Sequence, residues 1–185
     1  MADSRTMLTK MAILTMIMTV LFCLPLLLLD TANASKTITV NVRGGSLDLN
    51  PIGQPRLADI ELTGHDQSTY GDLGLIDVID ARGTGLGWNL VAQATDFAAG
   101  DGSGNKIPAG GLAVEGTQTV TTLAGSAAPL AFSGPLNSPL TVLSAPAGDG
   151  MGHYQTTPGV SLLVPADTFT GSYESTLTLT INSTN

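Results

Sequence analysis

An all-β, antiparallel sandwich of Greek-key-like character is the fold the sequence predicts for everything after an N-terminal leader. Three observations carry that reading. After residue 34 no window repeats apolar residues at i, i+3, i+4 and i+7 for three turns. Apolar and polar residues alternate with period two in one short run after another, and Gly, Pro and Asp separate the runs. All 22 glycines and nine of the ten prolines lie in residues 35–185, too many for a helical chain and too few for a low-complexity one. That part has no cysteine, so disulfides contribute nothing to its stability.

The leader explains itself. Arg5 and Lys10 precede an apolar run from Met11 to Leu29, and Ala32-Asn33-Ala34 places small residues where a signal peptidase inspects them. Residues 1–34 are therefore expected to be a signal peptide cleaved after Ala34, and residues 35–185 a single secreted domain. The rival is an uncleaved anchor, since 19 residues of helix span about 28 Å; Pro25 and Asp30 favour a removed segment. Cys23 follows bulky Phe22 inside the apolar run, which argues against a lipid anchor.

Strands are expected in order. In Thr37 to Val42, Ile38, Val40 and Val42 share one side. In Leu57 to Thr63, Ala58, Ile60 and Leu62 oppose Asp59, Glu61 and Thr63. Leu73 to Ile79 is apolar at both parities, as for a central strand covered on two sides. Gly87 to Thr95, Thr117 to Leu123, Pro139 to Leu143, Gly159 to Val164 and Ser172 to Asn182 follow. Ala98 to Gly111 and Ala124 to Ser138 read as long surface loops, and no composition break suggests a second domain.

Thirteen acids against five bases after residue 34 oppose binding to polyanions, so nucleic acid is excluded as a partner. The acids form no block and read as a solvated surface. Hydrolytic chemistry finds no footing: His65 and His153 are the only imidazoles, both in stretches that read as turns, and there is no G-x-S-x-G. Neither histidine has a partner at metal-site spacing. Gly83-x-Gly85-x-Gly87 lies between strands rather than ahead of a helix, so a dinucleotide site fails on context. Asp101-Gly102-Ser103-Gly104-Asn105 alternates oxygen side chains as calcium loops do, but lacks the following bidentate acid. Asp59 and Glu61, on one face of an expected strand, have the spacing of a glycosidase pair without a cleft. No catalytic residue, cofactor or metal is assigned.

The most distinctive stretch is Asp80-Ala81-Arg82-Gly83-Thr84-Gly85-Leu86-Gly87-Trp88-Asn89-Leu90, followed by Thr95-Asp96-Phe97. It resembles the first signature of the WxL-domain surface proteins of Gram-positive bacteria, where an acidic-x-Arg-Gly turn runs into Trp-x-Leu. Tyr173-Glu174-Ser175-Thr176-Leu177-Thr178-Leu179 resembles the second signature at the tyrosine and the Leu-Thr pair, with Leu179 in place of its tryptophan. The resemblance spans most of residues 36–182, including Ile107-Pro108-Ala109 and Val164-Pro165-Ala166. It implies a secreted, extracellular, non-catalytic protein held non-covalently on the cell wall, with peptidoglycan or another wall glycan as receptor and sometimes other surface proteins as partners. The lack of an LPxTG-type motif agrees, and residues 35–185 are barely longer than such a domain.

Parity puts Trp88, Leu90, Ala92 and Ala94 on one strand face, and Tyr173, Ser175, Leu177, Leu179 and Ile181 on another. Two roles stay open for Trp88, Leu90, Tyr173 and Leu177: core filling, or a sugar-stacking platform. Asp80 and Arg82 read as a turn brace. If the signatures are core, wall contact falls to Thr176, Thr178 and Thr180, a row of hydroxyls on the opposite face of the terminal strand. The alternative function is a subunit of a self-assembling extracellular fibre, with residues 35–42 donated as a strand to the next copy.

Overall fold

The computed structural model describes Lys10, residues 36–116 and residues 118–184. The signal-peptide reading thus falls, Lys10 aside, outside the described residues. No helix among those described is long and apolar enough to cross a membrane. Contacts divide the chain into Met1–Asn41 and Val42–Asn185. In the first unit, residues 36–41 form no strand, and Ile38 and Val40 are 95% and 80% exposed. Val42, at the start of the second, is 88% exposed. The strand expected over 37–42 is therefore absent: alternation supplies a face, but a strand also needs a neighbour's edge.

Among the described residues sixteen strands follow: β1 (Leu47–Ile52), β2 (Arg56–Leu57), β3 (Gln67–Asp72), β4 (Leu75–Asp80), β5 (Trp88–Ala94), β6 (Phe97–Ala99), β7 (Lys106–Ile107), β8 (Leu112–Val114), β9 (Val120–Gly125), β10 (Leu130–Ala131), β11 (Gly134–Pro135), β12 (Leu140–Ala145), β13 (Gly152–Thr156), β14 (Gly159–Val164), β15 (Tyr173–Glu174) and β16 (Leu177–Ser183). They form antiparallel sheets ordered β1-β4-β13-β9, β10-β12-β5-β16, β11-β8-β14-β3-β2 and β15-β6-β7. Neighbours are mostly distant in sequence, as when β4 pairs with β13 and β5 with β12 and β16, so the chain crosses repeatedly between sheets. The expected all-β, antiparallel architecture is the one observed.

Two sheets set the frame for function. The β4 sheet turns Ile76, Val78 and Tyr154 inward; the β5 sheet turns Trp88, Leu90, Ala92 and Leu143 inward. The rings of Trp88 and Tyr154 meet in the core at a centroid separation of 6.3 Å and a 52° tilt, within the range that aromatic pairs prefer. Leu177, Leu179 and Ile181 of β16 pack half-buried against the same core.

Several expectations are corrected. Leu57 to Thr63 is strand only at its first residue. Beyond it, side chains take over the backbone's partners: the Gln67 amide donates to the Glu61 carbonyl (3.0 Å) and accepts from the Thr63 N–H (3.1 Å). Asp59 and Glu61 therefore share no strand face, and Asp59 sits beside Arg56 at 3.5 Å in solvent. The stretch Ala98 to Gly111 holds strand residues and a short 3-10 turn, Ala109–Gly111. Ala124 to Ser138 likewise holds β10 and β11. The terminal strand is interrupted at Ser175 and Thr176, where Thr95 binds instead: the Ser175 hydroxyl donates to the Thr95 carbonyl (2.6 Å) and the Thr176 N–H to the Thr95 hydroxyl (3.0 Å).

Candidate functional site

The Asp-x-Arg-Gly and Trp-x-Leu residues form one lock. Asp80, at the end of β4, is buried, and Arg82 grips both its oxygens through Nε (2.9 Å) and Nη2 (2.8 Å). Such a planar, two-point pair is the strong form of a charge-assisted bond. Arg82 holds the Asp80 carboxyl below the usual carboxylate range, and Asp80 raises the guanidinium in return. The remaining guanidinium donors reach the Leu86 and Gly87 carbonyls (2.9 and 3.3 Å) and the Ser183 hydroxyl. The turn that delivers Trp88 and the end of the last strand are thus tied to one cation.

Trp88 and Leu90 are both 0% exposed. The Trp88 indole N–H donates to the Gly150 carbonyl at 2.9 Å. Gly150 has φ +72°, and a Cβ there would meet Ala145 and lie 2.7 Å from the indole nitrogen; glycine satisfies both constraints. A Cβ on Gly87 would strike the Ala145 carbonyl oxygen. In this packing neither Trp88 nor Leu90 presents surface to a ligand.

The second signature sits at the rim of the same core. Tyr173 is half-buried, its hydroxyl donating to the Phe169 carbonyl at 2.9 Å. Leu177 and Leu179 lie opposite Ala94 and Ala92, whose small side chains leave room for them. The intervening motifs have structural duties too. Asp96 accepts from the Ala109 N–H (3.0 Å), tying Thr-Asp-Phe to the Ile-Pro-Ala turn, and Asp66 accepts from the Ala166 N–H (2.9 Å) in the second such turn.

Thr176, Thr178 and Thr180 are exposed. Register places Thr178 opposite Gln93, Thr180 opposite Val91 and Asn182 opposite Asn89; β12 adds Thr141 opposite Val91 and Ser144 opposite Asn89. The outer face of the β5 sheet thus carries hydroxyls and amides around Val91, with exposed Leu130 of β10 opposite Ser144, and none of these outward residues is ionisable.

A second polar constellation was not legible in the sequence. Asp77, in β4, accepts from the Gln155 amide (2.9 Å) and lies 2.6 Å from His153 Nε2, while Asn50 reaches its other oxygen at 3.4 Å. Hydrogen bonding from Gln155, then from His153 and Asn50, outweighs burial and holds the Asp77 carboxyl below the usual range. His153, expected in a turn, sits instead on β13 beside a carboxylate. His65 lies in an exposed bend. The 101–105 loop bonds to itself, Asp101 accepting from the Ser103 N–H at 2.9 Å. Among the described residues no three His, Cys or carboxylate groups gather to hold a metal.

The signature residues thus brace the core of the sandwich, and the outer face of its β5 sheet carries no ionisable side chain. The chain matches the family model described as WxL domain surface cell wall-binding over residues 54–184, and it belongs to that family. It is a cell-surface, wall-associated protein. No curated protein and no solved structure matches it.

Proposed function

We propose that the chain is exported, loses residues 1–34, and is held non-covalently on peptidoglycan or another wall glycan as a non-catalytic surface protein. The observation that carries this reading is the match to a cell-wall-binding family over residues 54–184. The contact surface is the outer face of the β5 sheet along its edge strand, with Thr178 and Thr180 on β16 and Thr176 just ahead of it. Trp88, Leu90, Tyr173 and Leu177 act through that face by packing the core beneath it.

Physical chemistry supports the assignment. A chain at −8 is repelled by anionic wall polymers, and the repulsion is least where the surface carries no charge. Hydroxyls recur about every 7 Å along β16, with neighbouring strands about 4.8 Å away. Each hydroxyl can donate and accept, and each amide does both. Single bonds of this kind contribute about 1 kcal/mol net, but a polymer engages several together and gains by multivalency.

The test is sedimentation of the protein with purified walls, native against a variant with Thr176, Thr178 and Thr180 all changed to Lys. Retention of the native chain and its loss in the variant support the reading. The family match lends nothing to the fibre-subunit alternative; polymers in size exclusion that vanish on deleting residues 35–42 would favour it.

A further inference from the structure

The outer face of the β4 sheet, on the other side of the core from the threonine row, carries a groove of about 320 Å³ lined by Leu75, Thr119, Thr121, Gln155, Thr156 and Thr157. It is a shallow depression open to solvent, and none of the lining residues is charged. Leu75 supplies an apolar flank. Among the described residues the Thr119, Thr121 and Thr157 hydroxyls have no hydrogen-bond partner, and the Thr156 hydroxyl is already spent on the Thr119 carbonyl (2.9 Å).

Gln155 gives the groove its polarity. Asn50, Asp77, Gln155 and Thr121 stand opposite one another on β1, β4, β13 and β9, forming one polar row across the sheet. An ionised carboxylate only accepts, so Asp77 turns the Gln155 amide nitrogen toward itself and leaves the amide oxygen free. That oxygen has no partner among the described residues. A fixed acceptor, three free hydroxyls and an apolar flank match a ligand with apolar ring faces, hydroxyls and amide N–H groups.

We propose that this groove binds a short stretch of neutral N-acetylated glycan, with Gln155 as a contact residue and Asp77 as the positioning residue that sets its amide. The proposal rests on the wall-binding reading for its choice of glycan, but concerns a second site. With one site on each outer face, a single molecule bridges two glycan strands.

The test titrates the full secreted chain with the β-1,4-linked N-acetylglucosamine trimer, read by NMR. The expected result includes shifts at Thr119, Thr121, Thr157 and the Gln155 side-chain amide, separate from any on the β5 face. Gln155→Ala is expected to weaken binding about tenfold or more, the scale of one lost hydrogen bond left unpaired. Asp77→Asn is nearly isosteric and lets the Gln155 amide turn over; it should weaken binding similarly, with the backbone spectrum retained. No shifts at the groove residues, shifts on the β5 face alone, or native affinity at the groove in Gln155→Ala would overturn the site. Native affinity in Asp77→Asn would overturn the positioning role and leave Asp77 a cross-strand brace. Walls that retain the protein while the trimer fails to bind would sink this site alone; trimer binding without wall retention would sink the wall-binding reading alone.

Discussion

Removing the Trp88 indole tests whether the family signature is architecture or contact surface. Trp88 is fully buried, stacks obliquely on Tyr154 and donates to Gly150. Truncating a buried aromatic to alanine costs about 3 to 5 kcal/mol, and the orphaned Gly150 carbonyl adds about 1 kcal/mol. For a domain of this size each kcal/mol lowers the melting temperature by about 2 to 4 °C. Trp88→Ala should therefore melt roughly 8 to 24 °C below the native chain. Since the mutation removes the fluorophore, far-ultraviolet circular dichroism is the readout. Trp88→Phe, which keeps most of the ring but loses the donor, should fall between. A variant that melts like the native protein yet no longer binds walls would refute the core assignment and make Trp88 a sugar platform.

Two further expectations follow from the geometry and one from the sequence. Gly87→Ala should destabilise the fold by at least about 1 kcal/mol, because its Cβ meets backbone rather than a movable side chain; a denaturant midpoint equal to the native one would contradict this. Asp77 and Asp80 both titrate below the ordinary carboxylate value near 3.9, so each contributes stability that is complete above about pH 4 and lost as pH falls through its folded value. Acid melts should show that decline, and Asp80→Asn should lower stability at pH 7 while flattening it; an unchanged acid limb would contradict the role given to Arg82. N-terminal sequencing of exported protein should begin at Ser35, whereas intact Met11 to Leu29 in membranes would contradict cleavage.

How much of this was legible depended on where hydrophobicity carried the signal. β5 and β14 were readable because their inward residues are Trp, Leu, Val and Ala in strict alternation, and the structure begins and ends β14 at the expected residues, Gly159 and Val164. β3 and β13 were not, because Gln67-Ser68-Thr69-Tyr70-Gly71-Asp72 and Gly152-His153-Tyr154-Gln155-Thr156 are polar runs. Their buried members satisfy their hydroxyls with carbonyls, distant ones for Thr69 (Ala58) and Thr156 (Thr119) and both the nearby Met151 and the distant Ser126 for Tyr154, and no local pattern encodes the distant partners. β1 contains Pro51, which reads as a break; it is an edge strand, where proline is tolerated. The threonine row was visible from period two alone. Asn89, Gln93, Thr141 and Ser144 joined it only through register, and the Asp77 cluster unites three strands whose pairing the sequence does not announce.

Co-sedimentation with purified walls at low and high salt tests the central claim most directly. A hydroxyl face predicts that the native chain is retained at both salt concentrations, since uncharged hydrogen bonds are not screened. It predicts that the Thr176, Thr178 and Thr180 to Lys variant is retained less than the native chain at both while melting within a few degrees of it. Retention that rises with the added lysines and collapses in high salt would contradict it, and would assign attachment to charge instead.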